Sequence, residues 1–144
     1  MATKEPPLQV LLVDDNPGDV LLMQETFEEL HVGVDVLTAS DGAEALATLD
    51  RGVTSGRLPD LVVLDLNMPG MNGIEVLQTV RANEDLRHLP VIIMTSTAAE
   101  EEVVEAYRSY ASSFVTKPQR PGEMTEALRS LDAFWLRIAQ LPKT

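Results

Sequence analysis

Acids close two of the apolar runs in this chain. In VLLVDDNPGDV, Val10 to Val13 run into Asp14 and Asp15; in LVVLDLNMPGMNG, Leu61 to Leu64 run into Asp65, and a turn rich in Pro and Gly follows. Two further runs end in side chains that handle anions: VIIMTS closes on Thr95 and Ser96, and SFVT is followed by Lys117. Brought to one place, three carboxylates repel one another and cannot all stay ionised at pH 7 without a counter-charge. A divalent cation with oxygen ligands removes that difficulty. Mg²⁺ suits the role, because it takes one or two carboxylates and keeps positions for waters and a phosphoryl group. A Lys holds a phosphoryl oxygen as a point charge, and a Thr hydroxyl donates to another. One carboxylate can itself be the nucleophile, forming an aspartyl phosphate.

Convergence of these residues depends on the elements that carry them. Five short apolar runs recur: Leu8–Val13, Val34–Ala39, Leu61–Leu66, Val91–Thr95 and Ser113–Thr116. They are rich in Val, Ile and Leu and do not alternate with polar residues, which fits parallel strands covered on both faces. Between them lie helical periods: Val20, Met23, Phe27 and Leu30; Ile74, Leu77 and Val80; Met124, Leu128, Leu131, Trp135 and Ile138, read as one helix. Pro17 after Asn16, and Pro121, stand where first helical turns begin. Asp41 with Glu44, and Asn72 with Glu75, have capping-box spacing. Glu100, Glu101 and Glu102 fall in the first turn of the fourth helix, where the dipole favours anions. Residues 51–60 and 82–90 read as loops. The whole is an α/β chain of five βα units, with right-handed crossovers placing helices on both faces. In such an open sheet, ligands sit at the carboxyl ends of the strands, where Asp14, Asp15, Asp65, Thr95 and Lys117 all fall.

Bulk properties bound the function. The chain has 144 residues, 44% of them apolar, which suits one domain with a real core. Its apolar runs of about four or five residues are far short of the ~20 that span a bilayer, and the N-terminus lacks a signal-peptide h-region. There is no Cys, hence no disulfide framework; a cytoplasmic setting is expected. The formal net charge of −12 argues against nucleic acid as a partner.

At the acids and the Lys the chain resembles the receiver domain of two-component response regulators. VDD at the first strand, LDLNMPGMNG at the third, MTS at the fourth and TKP at the fifth match that family's motifs in order and spacing, from about Leu8 to Leu141. The resemblance implies a flavodoxin-like, doubly wound fold with strand order 2-1-3-4-5, a tail at 1–7, a receiver domain at 8–141, a short end at 142–144 and no output domain. It implies phosphorylation of Asp65 by a sensor histidine kinase, without separate enzymatic turnover. Mg²⁺ would be bound through the carboxylates of Asp15 and Asp65, by Asp14 largely through water, and by the backbone carbonyl of Asn67. Thr95 and Lys117 would hold the phosphoryl group. Phe114 would act with Thr95 as the conformational switch, and Lys117–Pro118 would be a cis peptide. Flanking segments, NPGDVLLMQETF, NEDLRHLPVIIMTS and FWLRIAQLP, resemble the single-domain receivers that serve bacterial phytochromes. That finer likeness implies a bacteriophytochrome kinase as partner and a homodimer through the face made by the fourth helix, fifth strand and fifth helix.

Departures and rivals sharpen the reading. Gln119 replaces a bulky apolar residue common in the family, and Tyr110 stands where Gly is usual. The resemblance places Asn67 and Thr97 at the two positions that tune, in that family, how fast the phosphoryl group is lost. Asp14 could instead cap the helix at Pro17, and Phe114 could be a core aromatic as well as a switch. Phe134 and Trp135 read as core packing, although Trp135, Leu136 and Ile138 could supply dimer area. His31 and His88 lack metal-ligand spacing. An aspartyl-phosphate hydrolase of the haloacid dehalogenase kind needs a second Asp where Asn67 stands. A nucleotide or flavin binder needs a Gly-rich phosphate loop where DDNPGDV is acidic. A pseudo-receiver used only for docking would not need the complete set of acids, Thr and Lys.

Overall fold

A computed structural model describes residues 7–30, 33–96, 99–120 and 122–142. The chain alternates throughout: β1 (Gln9–Val13), α1 (Pro17–Leu30), β2 (Asp35–Ala39), α2 (Gly42–Ser55), β3 (Leu61–Leu64), α3 (Gly73–Ala82), β4 (Val91–Thr95), α4 (Glu100–Arg108), β5 (Ser113–Thr116) and α5 (Glu123–Leu131), the last continued by a π-helical segment, Asp132–Ile138. All five strands are parallel, in the order β2-β1-β3-β4-β5. This is the flavodoxin-like doubly wound sheet that the resemblance implies.

Two apolar layers explain why the strands carry continuous Val, Ile and Leu. Successive strand side chains point to opposite faces. Leu11, Val13, Val62, Leu64, Val91 and Ile93 pack with Ala45 and Leu49 of α2, with Ile74, Leu77 and Val80 of α3, and with Ala106 of α4. Their neighbours Val10, Leu12, Leu61, Val63, Ile92 and Met94 pack with Met23 and Phe27 of α1 and with Met124, Leu128 and Leu131 of α5. With both faces covered, the ends of the strands are left for chemistry.

Helix α1 starts at Pro17, and the side chain of Asn16 accepts from the Asp19 N–H at 3.0 Å. Asn72 and Glu75 form the full capping box of α3. Asp41 caps α2 through the Glu44 N–H, but the Glu44 carboxylate turns to the Ser40 N–H and hydroxyl instead of returning to Asp41. Pro121, Thr97, His31, residues 1–6 of the tail, the last two residues and the side chain of Ile138 lie outside the described residues.

Three expectations are corrected. Residues 51–55 are helix, not loop: α2 runs to Ser55 and stops at Gly56, whose φ is 77°. Gly52 is kept there by packing, since a Cβ would lie 2.8 Å from the Arg57 carbonyl oxygen. The Thr54 and Ser55 hydroxyls bond back to helix carbonyls and so do not end it. Second, the α5 period does not continue as α-helix through Ile138. Asp132 is 2% exposed and accepts from Arg137 Nε at 2.9 Å, and the wider π winding brings these residues, five apart, together. Within that segment Leu136 is buried and Trp135 half-buried against the α1–α5 layer, while Phe134 is exposed. Third, the Lys117–Pro118 peptide is trans, and no described peptide bond is cis; the two isomers of an X–Pro bond differ by only about 0.5–1 kcal/mol. Tyr110, in the Gly position, has φ 66°. This is a left-handed conformation that Gly adopts without steric cost.

Candidate functional site

Parallel pairing delivers the polar ends of β1, β3, β4 and β5 to one rim. Val13 lies beside Leu64 and Ala39, so Asp14 and Asp65 leave the sheet side by side. Backbone bonds carry the ladder one residue further, from Asp14 N–H to the Ala39 carbonyl at 3.0 Å and from Asp65 N–H to the Val13 carbonyl at 2.9 Å. On the other side, the Lys117 N–H reaches the Thr95 carbonyl at 2.7 Å. Gly73 presses the start of α3 against this rim: a Cβ there would lie 2.3 Å from the Asp65 carbonyl oxygen, so the position admits only Gly.

Lys117 is the hub. Its ammonium lies 2.5 Å from Asp14 Oδ2, 3.0 Å from Asp19 Oδ2 and 3.3 Å from Asp65 Oδ2. Asp14, Asp65, Thr95 and Lys117 are each 5% exposed or less, whereas Asp15 is exposed. Asp14 Oδ1 accepts from the Asn16 N–H, and Asp65 Oδ1 from the Asn67 N–H. The Thr95 hydroxyl accepts from Asn67 Nδ2 at 3.1 Å, linking the turn after β3 to the end of β4. Phe114 is half-buried against the α2–α3–α4 layer, and its N–H donates to the Tyr107 hydroxyl on α4.

Asp14, Asp15 and Asp65 each offer one carboxylate oxygen, all within 4.8 Å of one another. That spread lets one divalent cation with oxygen ligands touch all three, so the donor set fits such an ion. The electrostatics agree. Burial raises the pKa of Asp14, and the hydrogen bonds from Lys117 and Asn16 only partly offset it, while the neighbouring Asp65 charge adds to the rise. Burial works against the charge of Lys117 too, yet its hydrogen bonds to Asp14 and Asp19 and the field of Asp14 and Asp65 outweigh it, and its pKa is raised. Both directions follow from one arrangement: carboxylates withdrawn from water and gathered around a single ammonium.

The structure thus brings together Asp14, Asp15, Asp65, Asn67, Thr95 and Lys117. Phe114 lies on β5, three residues before Lys117. Asp19 is the member that the sequence reading did not single out. Its only signal was a third acid closely following Asp14 and Asp15; the turn through Pro17 and Gly18 folds it back onto a lysine 98 residues away.

Comparison with known proteins bears on this rim. A sequence model of the response regulator receiver domain matches residues 10–129. Response regulator Rcp1 of the cyanobacterium Synechocystis is 30% identical over 139 residues, covering 95% of this chain and 95% of its own. The crystal structure of the phosphorylated cyanobacterial phytochrome response regulator RcpA superposes with a TM-score of 0.89 at 30% identity, covering 94% of this chain and 99% of its own. The Mn²⁺-bound form of Rcp1 superposes with a TM-score of 0.87 at 30% identity, over the same shares of the two chains.

Proposed function

This chain belongs to the response regulator receiver domain family, and from that membership we propose that it accepts a phosphoryl group on Asp65 from the phosphohistidine of a sensor histidine kinase. The observation that carries the proposal is the placement of Lys117 Nζ 3.3 Å from a buried Asp65 carboxylate, beside the Thr95 hydroxyl and two further acids. In the transfer, an Asp65 oxygen forms a bond to phosphorus. The phosphorus–nitrogen bond breaks, and the histidine nitrogen leaves with the electron pair and takes up a proton from water. Lys117 stabilises charge on the transferred oxygens, and Thr95 donates to one of them. Receiver domains bind a divalent metal at their acidic pocket. Here we assign Mg²⁺, held by the carboxylates of Asp15 and Asp65, by Asp14 largely through water and by the Asn67 carbonyl, where it supplies positive charge beside the phosphoryl oxygens. The engagement of both Asp14 oxygens, by Lys117 and by the Asn16 N–H, supports an indirect role for Asp14.

The kinase is of the phytochrome type in this reading, which rests on the likeness to the phytochrome regulator RcpA. Phosphorylation biases an equilibrium in which Thr95 is drawn toward the phosphoryl group and Phe114 rotates inward. The altered surface is α4–β5–α5, where exposed Val104 and Tyr107 of α4 offer area for a homodimer or a target. The protein modifies itself and has no separate turnover, and it works in the cytoplasm; no described helix is long and apolar enough to cross a membrane. Incubation with acetyl phosphate and Mg²⁺ tests the central step: mass spectrometry should find one added phosphoryl group on Asp65 and none in Asp65→Asn. An adduct on another residue ends the proposal.

A further inference from the structure

Lys117 has three N–H donors, and three carboxylates take them: Asp14, Asp19 and Asp65. These partners are not equivalent. Asp14 and Asp65 belong to the acid trio that can hold a cation; Asp19 stands outside it. The Asp14 and Asp65 side chains are 2% and 6% exposed, and that of Asp19 is 31% exposed. A carboxylate that keeps part of its hydration carries its charge at little desolvation cost. Asp19 can therefore hold the ammonium without the penalty that burial imposes on Asp14.

Asp19 is also built into the site rather than resting on it. Asp14 Oδ1 accepts from the Asn16 N–H at 2.9 Å, and Asn16 Oδ1 accepts from the Asp19 N–H at 3.0 Å. Lys117 then closes the circuit by donating to Asp19 Oδ2 and Asp14 Oδ2. The first helical bond, Val20 N–H to the Asn16 carbonyl at 3.0 Å, fixes this turn to α1. The lysine is thereby tied to the first turn of a helix as well as to the sheet.

We propose that Asp19 is a positioning residue for Lys117, the anchor that keeps its ammonium aimed at Asp65 once a cation and a phosphoryl group occupy the acid trio. The inference rests on Asp65 as phosphoryl acceptor. A divalent cation on the trio would repel the ammonium, compete directly for the Asp65 oxygens and compete through its bound water for those of Asp14. Asp19 is the one Lys117 partner left uncontested. On transfer, the donor now at 3.3 Å from Asp65 Oδ2 turns to a phosphoryl oxygen, and the bond to Asp19 persists.

The test exploits a favourable count: the chain has only three lysines, Lys4, Lys117 and Lys143. Protein labelled with ¹³C at lysine Cε gives three signals, and Lys117→Met identifies the one that matters. In wild type with saturating Mg²⁺, the Lys117 signal should stay apart from the terminal pair. In Asp19→Asn it should move and broaden toward them, with Asp19→Ala as a second variant should Asn perturb the turn. The initial rate of acyl-phosphate formation from acetyl phosphate should fall about tenfold or more, the order expected for losing one charge-assisted hydrogen bond. An Asp19 that merely complements the α1 dipole would change the melting temperature and leave the Lys117 signal in place. That result overturns the proposal. A wild-type protein that gains no phosphoryl group on Asp65 overturns the functional reading instead, while the Lys117 signal still decides whether Asp19 holds the lysine.

Discussion

The two ends of the sheet both carry acids, and they use them differently. At the amino edge, Asp60 and Gln9 exchange bonds of 2.8 Å: the Gln9 N–H donates to Asp60 Oδ2, and the Asp60 N–H donates to the Gln9 carbonyl. Asp35 accepts from Gln9 Nε2 at 3.0 Å and lies 3.9 Å from Arg57, whose guanidinium also donates to the Pro7 carbonyl. The Arg57 and Asp35 side chains are 37% and 45% exposed, so water shares the solvation of this pair. At the carboxyl edge, two acids almost without exposure share a single ammonium with a third. The lesson is that an acid at a strand end says little by itself. Burial in excess of the available positive charge is what separates a reactive rim from a structural one.

Substitutions at the two edges should therefore diverge, most of all in chemistry. Asp65→Asn removes the nucleophile and should abolish acyl-phosphate formation from acetyl phosphate, while Asp60→Asn, also an acid-to-amide change at a strand end, should leave the rate within about twofold. A large loss in Asp60→Asn would show that the edges are not functionally distinct.

Stability should separate them next. Lys117→Met strands buried carboxylates, and urea denaturation in neutral, metal-free buffer should show a loss of about 3 kcal/mol, the range for breaking a buried pair from one side. Arg57→Ala should cost less than about 1 kcal/mol, as exposed pairs do. The pH dependence follows from the direction of the Lys117 shift. Its folded pKa lies above the ordinary 10.5, so its contribution is complete below that value and is lost as pH rises through the folded pKa. The gap between wild type and Lys117→Met should therefore narrow on titration above about pH 10.5. A gap that stays constant would mean that the ammonium charge is not what stabilises the rim.

Cation binding sharpens the contrast further. A ligand that binds only the folded state stabilises it by about 2.7 kcal/mol at a hundredfold excess over its Kd. Mg²⁺ should raise the denaturation midpoint of wild type and of Asp35→Asn alike, and should fail to do so when Asp15 and Asp65 are both changed to Asn. Persistence of the effect in the double variant would relocate the cation.

The legible part of this molecule was the part governed by local pattern. Uninterrupted Val, Ile and Leu in the strands reflect helices on both faces, and the acids at their ends mark the rim because a parallel sheet puts every carboxyl end on one side. What escaped depends on contacts distant in sequence. Residues 51–55 read as loop, yet the helix continues through Gly52, where Arg57 and Leu58 fill the space beside it. The spacing from Met124 to Ile138 suits an α-helix; the π segment answers instead to a buried Asp132, whose partner Arg137 also donates to the Leu30 carbonyl of α1 at 2.7 Å. Asp19 gains meaning only from Lys117.

The smallest effect probes a turn at the amino edge. Tyr110 sits between α4 and β5 with φ 66°, and it is 75% exposed. A left-handed conformation costs a residue with a Cβ roughly 1–2 kcal/mol. Tyr110→Gly removes that cost and keeps the hydrogen bond from the Arg81 side-chain Nε to the residue 110 carbonyl at 2.9 Å. Greater freedom of Gly in the unfolded chain takes back about 0.4–1 kcal/mol. The net gain should be about 0.5 kcal/mol in urea denaturation at low protein concentration, with acyl-phosphate formation unchanged, since the turn lies at the opposite edge from Asp65. A loss of stability that grows with protein concentration would instead place the Tyr110 ring in a contact between two copies of the chain, and would turn this part of the amino edge from scaffold into interface.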